Sequence, residues 1–527
     1  MLAQNSKIGN GEQTIPAISV ERVEQRIEQR IERRMPEMHA QLDALVEWLC
    51  RSAQDGSAAH EVERGLFDRL LQLGHGLFLS FLTLVGPGDF GDTVALDDGR
   101  QVPRLKEQHR RRLLTVFGSF DLARWVYAQG ENAKIEFAPT DQRLQLPTSE
   151  VSYLLQEWDQ LLGVEESFGQ VREMIETVLR LKQSVDTLER TNQQMAEAAP
   201  VFRESQGPVN LAKEGELLVV TEDNKGIPMV RPVEEKPAGA HRTKGEKANK
   251  KQMACIGCVY SVDRHERTAE ELVATLFRDS DRPKGQPPEA QNKRYWAELS
   301  RERDGEPVRG QDLVFEQLQR EVGTRRRPEQ LLVHLCDGQV SLETDRHTYL
   351  PTDAKTVDIL DLMHVLPRVW EAAHVFHGEK SVEATAFVRR HLTRILRGET
   401  GPVLAYWRSK GTREGLAGAK KKKLRVLCGF LENNKHRMRY DEYLKRGCPV
   451  ATGVIEGACR HVIKDRMERA GMRWKIPGAQ AMLNLRTIRT NGDWTAFQDF
   501  RIALETERLY PNAKALAARQ WSGVQAA

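Results

Sequence analysis

The chain of 527 residues lacks any long apolar run. Its most apolar window, Leu66 to Val85, contains Asp68, Arg69 and His75. A bilayer span needs about 20 consecutive apolar residues, so this window predicts a buried helix instead. Hydrophobic residues make up 40% and charged residues 29%, which excludes both a membrane protein and a wholly disordered chain. Neither sign of charge dominates: 79 Lys and Arg face 75 Asp and Glu, for a net +4. A polyanion partner therefore has to be argued from clustering of basic residues, not from the total. Cysteine is sparse and odd in number, seven in all, at 50, 255, 258, 336, 428, 448 and 459. The start, MLAQNSKIGNGEQ, has no apolar core of a secretory signal, so free thiols in a reducing cytoplasm are expected. Cys255 and Cys258 form a CxxC, but no second pair stands nearby to complete a zinc site, and MACIGCVYSV predicts an ordinary buried strand. There is no P-loop, GxGxxG, HExxH or nucleophile elbow.

At roughly 100–200 residues per domain the length allows about three to five domains. Residues 1–18 are polar and expected to be disordered. Val20, Val23, Ile27 and Ile31 follow at helical spacing, and Pro36 is expected to end that helix before a second, from about Gln41 to Cys50, and a third, from about Ala58 to Val85. The segment 1–97 is thus a helical N-terminal region. Residues 98–148 form a small β module, with a hairpin over 111–127 turning at Gly118-Ser119. Residues 149–210 are helical, and the two short helices from Ser167 to Asn192 have the spacing of a helix-turn-helix as well as of a plain helical hairpin.

From about 211 to 376 the period changes. ELLVV (216–220), KQMACIGCVYSVD (251–263) and QLLVHLCDG (330–338) predict strands, and ELVATLF (271–277) a strand or short helix. QDLVFEQLQREVG (311–323) predicts a helix, and TVDILDLMHVLPRVWEAAHVF (356–376) a strand that becomes a helix. Strands alternating with helices imply an α/β sheet. A basic loop is expected at 241–251. Residues 377–446 are helical and basic, with GAKKKKLRV (418–426) carrying Lys420, Lys421, Lys422 and Lys423, and NNKHRMRY (433–440) close behind. Tyr406, Trp407 and Tyr440 interleave with these runs, which points to nucleic acid. Residues 447–510 open on a Gly-rich turn and a basic helix, and 511–527 form a tail.

Three carboxylates occupy special places. Asp223 and Asp337 each end an apolar strand, and Glu456 starts a helix after the turn Ala451-Thr452-Gly453. Ligands of open α/β sheets gather at the strand carboxyl ends, where three such groups can converge. Hard oxygen donors suit Mg²⁺, and two such ions can clamp the attacking and leaving oxygens of a phosphoryl transfer.

The words DNKGIPM (223–229), HLCDG (334–338), DILDLMHVLPRVWEAAHVF (358–376), TGVIEGACRHVIKDRMERAGMRW (452–474), GAQAMLNLR (478–486) and GDWTAF (492–497) resemble those of bacterial insertion-sequence DDE transposases. The likeness is to the ISKra-type family of the Mutator-like group, and it runs from about residue 100 to 510. The resemblance implies a ribonuclease-H-like catalytic core with a helical insertion over 377–446, preceded by a mostly helical, DNA-binding N-terminal region. Its metal-binding triad maps onto Asp223, Asp337 and Glu456, with Glu222 as rival for the first place. The group's [C/D]xxH word is Asp361-Leu362-Met363-His364, which gives His364 a catalytic role. Lys464, Arg466, Arg469, Arg473 and Trp474 follow Glu456, and their basic side chains would hold phosphates of the element's ends.

The implied function is a DNA transposase that binds the terminal repeats of its element and performs Mg²⁺-dependent cleavage and strand transfer, with Mn²⁺ as a substitute. The implied partners are transposon-end and target double-stranded DNA, and a second copy of the chain at synapsis, in the bacterial cytoplasm at the nucleoid. The rivals are a structure-specific nuclease on the same fold and a non-catalytic DNA-binding protein descended from a transposase.

Overall fold

The computed structural model describes residues 20–230, 251–280, 282–303, 305–451, 453–469 and 471–517, with backbone alone over 20–35. The polar start, the side chains of the Val20–Ile31 stripe and the basic loop at 241–250 lie outside the described residues. The chain is a mixed α/β protein in two compact units. The first is made of residues 1–160, 169–185 and 500–527, and the second of 161–168 and 186–499.

In the first unit one helix runs Val20–Gln54 and a second Ala59–Val85. The expected break at Pro36 is absent: the helix continues through it, since proline removes one N–H donor and strains one turn without forbidding the next. Two short strands, β1 (Thr93–Ala95) and β2 (Gln101–Pro103), pair antiparallel, as do β3 (His109–Thr115) and β4 (Gly118–Arg124). The β3–β4 turn is Val116-Phe117, two residues before the expected Gly118-Ser119, because Thr115 pairs with Gly118 and the Thr115 hydroxyl accepts the Phe117 N–H at 3.1 Å. Of the tail expected from residue 511, the described part, to Ala517, joins this unit's core: Ala515 is buried with Phe90, Val94, Tyr127 and Phe137, and Asp97 accepts the Ala515 N–H at 2.7 Å.

The two helices of the helix-turn-helix reading are Phe168–Leu179 and Val185–Ala196. Residues 169–185 belong to the first unit and 186–499 to the second.

Asp159, also in the first unit, is 1% exposed. Its Oδ1 accepts from Gln183 Nε2 at 2.9 Å, and its Oδ2 has no hydrogen-bond partner. Burial pushes the carboxyl up to about 7, against the lowering by Gln183. An acid raised in the folded state costs nothing below its unfolded value of about 3.9 and its full amount above the folded one. Asp159→Asn is therefore expected to leave stability unchanged at pH 4 and to raise it progressively up to about pH 7, by on the order of 4 kcal/mol beyond that. Denaturant melts of both proteins from pH 4 to 8 check this; a constant difference would show that the carboxyl stays charged throughout.

The second unit is built on a five-stranded mixed sheet. Its strands are β5 (Leu217–Pro228), β6 (Lys251–Val262), β7 (Gln291–Leu299), β10 (Leu331–Cys336) and β11 (Thr356–Leu360). A small ribbon, β8 (Arg301–Arg303) with β9 (Glu306–Val308), stands outside it. The sheet order is β11-β10-β5-β6-β7. β5, β6 and β7 are antiparallel neighbours, and β10 and β11 add parallel strands on the other side of β5.

β5 does not stop after ELLVV. It runs through Asp223 to Pro228, because β6 pairs with it along its whole length, whereas β10 pairs only as far as Thr221. Alternate residues of a strand share a face. Leu218 and Val220 of β5 and Leu332 of β10 pack on Val314, Phe315 and Leu318 of the helix Gly310–Arg325. Cys255 and Cys258 are buried three residues apart on β6, hence on opposite faces, as the core reading expected. ELVATLF is the helix Ala269–Phe277, started by a capping box between Thr268 and Glu271. After β11 the helix Leu362–Phe376 leads into the helices Val382–Leu396, Thr400–Arg413, Gly418–Asn433 and Tyr440–Lys445. No helix among the described residues is long and apolar enough to cross a membrane.

Candidate active site

Strand register assembles the site. Leu335 of β10 pairs with Thr221 of β5, and Cys336 pairs with Leu360 of β11. Asp337 thus leaves β10 between the strands that carry Asp223 and lead to Asp361. Gly338 then turns the chain away at φ +88, and a Cβ there would stand 2.9 Å from Leu360 Cδ1, so only glycine fits after Asp337. Glu456 arrives from the helix Gly453–Ala458. A cavity of about 10 Å³, room for roughly one water, is bordered by Asp223, Asp337, Asp361, His364, Ile455 and Glu456.

Each group is held differently. Asp223 is half-buried; its Oδ1 accepts the Asn224 N–H at 2.6 Å and its Oδ2 the Cys459 thiol at 3.1 Å. Burial first, then the charges of Asp337 and Glu456, push the Asp223 carboxyl above its ordinary value, against the lowering by those two hydrogen bonds. Burial and the Asp223 charge likewise raise the Cys459 thiol, which keeps it a protonated donor. Asp337 Oδ1 accepts the Gln339 N–H at 2.7 Å. Glu456 is exposed, and His364 Nε2 stands 3.4 Å from its Oε1. Asp361 is buried and caps the helix Leu362–Phe376 by accepting the Met363 N–H at 2.7 Å.

Glu222 also borders the cavity, but its carboxylate points elsewhere. Both of its oxygens meet buried His334 Nε2, at 2.8 and 2.9 Å. His334 Nδ1 stands 3.6 Å from Asp358 on β11, and Arg346 pairs with Asp358 in turn. Glu222 thus belongs to a charged cluster on the sheet's other face, while Asp223 faces the cavity.

Three carboxylates that border one cavity, with Asp223 raised first by burial and then by the charges of the other two, form a donor set that a hard cation relieves. Asp223, Asp337 and Glu456 therefore fit a magnesium ion chemically. Among the described residues no group of three or more His, Cys, Asp or Glu side chains is already gathered to hold an ion.

The basic residues divide. Lys420, Lys421, Lys422 and Lys423 are exposed in the first turns of the helix Gly418–Asn433, with Lys423 paired to Glu371 at 3.4 Å. Lys464 and Arg473 are exposed. Arg469 is ion-paired with Glu166. Arg466, expected on a DNA-facing surface, is instead 1% exposed. Its guanidinium lies over the rings of Phe168 and Trp474, and its Nε donates to the Gly163 carbonyl at 2.8 Å. It is a core residue and does not face a phosphate.

Cys459 had no signal in the sequence. It reaches Asp223 because residues Cys459–Lys464 form a π-helical turn just after Glu456. Such wide turns recur at functional sites. The segment that follows is docked on the end of β5: Trp474 N–H donates to the Pro228 carbonyl at 3.0 Å, and Val230 N–H to the Trp474 carbonyl at 2.9 Å. No protein-family model matches the chain, and no curated protein matches it.

Proposed function

We propose that the protein is a magnesium-dependent DNA transposase. One observation carries the reading: Asp223, Asp337 and Glu456, each more than 100 residues from the next, border one cavity with His364 beside them. The sheet order supports a ribonuclease-H-like core, with the four helices of 382–445 inserted between the second aspartate and the glutamate.

Asp223, Asp337 and Glu456 would hold magnesium, which supplies charge stabilisation to the departing 3′-oxygen and activates the attacking oxygen. The Cys459 thiol and the Asn224 N–H fix the Asp223 carboxylate in place. His364 sets the Glu456 side chain and can donate to a phosphate oxygen or orient a water. Lys420, Lys421 and Lys422 sit at a helix start with no acid in its first turn, against the helix dipole. A DNA backbone offsets that cost, and Lys464 and Arg473 add two further exposed cations beyond Glu456. Joining two element ends to a target calls for a second copy of the chain.

The test is to incubate the full chain with the DNA flanking its gene and Mg²⁺. Products in which an element end is joined to target DNA are expected. Cut but unjoined ends would replace this reading with a nuclease. A gel shift without chemistry would replace it with a DNA-binding regulator.

A further inference from the structure

The most apolar window of the sequence, Leu66 to Val85, predicts a buried helix, yet the helix Ala59–Val85 is not covered on every side. From Leu70 to Val85 it holds no Asp, Glu, Lys or Arg. A helix with one side in water normally carries charge there, and one that is apolar all round belongs in an interior. Two of its sides are packed within the first unit. The helix Val20–Gln54 runs antiparallel along one. A Cβ on Gly65 would stand 2.7 Å from the Trp48 ring, one on Gly76 2.9 Å from Gln41 Oε1, and the Ser80 hydroxyl donates to Met38 Sδ at 3.0 Å. The β3–β4 hairpin takes another, with Leu113, Phe120 and Leu122 against Phe78, Leu79 and Leu82. On the side that is left, Leu70, Leu77, Phe81 and Leu84 are exposed.

The first helix adds to the same face. At ~3.6 residues per turn, those four residues lie about a quarter-turn past the line of Gly65, Gly76 and Ser80. Leu42 and Val46, exposed on the first helix, lie about a quarter-turn past its line of Met38, Gln41 and Trp48, in the same sense of winding. In two antiparallel helices, equal turns in one sense point to the same side. The six residues therefore share one face, and each is between 36% and 51% exposed. Exposed Asp43 and Glu47 on the first helix and Glu63 on the second stand along its edges, as the polar rim of an interface does.

Pattern and area select the occupant. Leu66, Leu70, Leu73, Leu77 and Leu84 keep the alternating four- and three-residue spacing of a coiled-coil seam, with Ser80, turned to the first helix, in the remaining place. Two such hairpins joined across a two-fold axis make a four-helix bundle in which the stripe meets its own copy. At roughly 80 Å² apiece, the six side chains of two copies together remove about 1,000 Å² of apolar surface from water, which is the floor for a specific interface. A helix lying on a membrane would carry Lys or Arg beside its apolar face, and this one has neither after Arg69.

We propose that this face is where two copies of the chain join, as a four-helix bundle made of two helical hairpins. The pairing belongs to the first unit, needs neither DNA nor metal, and is independent of the chemistry at the carboxylate site.

The test is the solution mass of the full chain in EDTA without DNA, by light scattering after gel filtration. Twice the 60.0 kDa of one chain is expected. Leu77 is in the middle of the stripe, so a two-fold axis brings it near its own copy. Leu77→Glu and Leu77→Lys should each halve the mass while keeping the wild-type circular dichroism. A charge is tolerated at a half-exposed place in the single chain, but not buried against the same charge. Leu42→Lys, on the other helix of the face, carries the same expectation. Mixing the two Leu77 variants should restore the doubled mass, because opposite charges then meet. A wild type of single mass, a dimer that survives all three substitutions, or a mixture that stays single overturns the proposal and leaves the reading of the carboxylate site standing.

Discussion

Asp337→Asn is expected to slow strand cleavage at least ~100-fold in Mg²⁺ while DNA binding persists, the counterpart of losing about 3 kcal/mol of transition-state stabilisation. The side chain keeps its shape and loses its charge. Asp337 follows the strand that lies between β5 and β11 and borders the same cavity as Asp223, Asp361 and Glu456, so an ion held there would meet it. DNA binding should hold or tighten, since one negative charge leaves the neighbourhood of the phosphates. The Asp223 carboxyl should also ionise more easily, because the Asp337 charge is one of the causes that raise it. Asp337→Cys separates ligation from mere charge. Thiolate is a poor partner for Mg²⁺ and a better one for Mn²⁺, so this variant should be inactive in the first and partly active in the second. Cleavage by Asp337→Asn near the wild-type rate in Mg²⁺ would remove the site from the reaction.

Much of this site was legible because its strands are. ELLVV and QLLVHLC are apolar runs that only a sheet buried on both faces uses, and the aspartates stand just after them. The full extent of β5 was not legible. DNKGIP holds Asn, Gly and Pro, all poor strand formers, and it is extended only because β6 pairs with it from Asp223 to Pro228. Spacing also placed Arg466 on a basic helical face. Its burial depends on Phe168, Trp474 and the Gly163 carbonyl, partners that a local pattern does not contain. The thiol on Asp223 escaped for a related reason. At α-helical spacing Glu456 and Cys459 are near neighbours, but nothing in GVIEGACRHVIK announces the π turn that carries Cys459 to Asp223. The helix through Pro36 and the buried end near Ala515 are likewise set by packing and not by local preference.

Neighbouring Glu222 and Asp223 should fail in opposite ways when altered. Glu222→Ala leaves His334 buried beside Asp358 without its main partner, and breaking such a pair costs about 3–5 kcal/mol. Glu222→Gln keeps a hydrogen-bond acceptor and should cost less, with cleavage within about tenfold of wild type. Burial alone would pull the His334 imidazole down, but Glu222 and Asp358 outweigh it, and the net shift is upward. A basic group raised in the folded state contributes stability that is complete below its unfolded value, about 6.5, and is lost as pH rises through the folded one. The stability difference between wild type and Glu222→Gln should therefore be largest in acid and shrink as pH climbs. Asp223→Asn should behave in reverse. It removes first the cost of burying a charge and then the repulsion from Asp337 and Glu456, so the melting point should hold or rise while cleavage disappears. Thermal melts and a cleavage assay on the same preparations decide between the two residues. Glu222→Gln with an unchanged melting point and no cleavage would make Glu222 the first ligand, and would assign Asp223 to the support of the site.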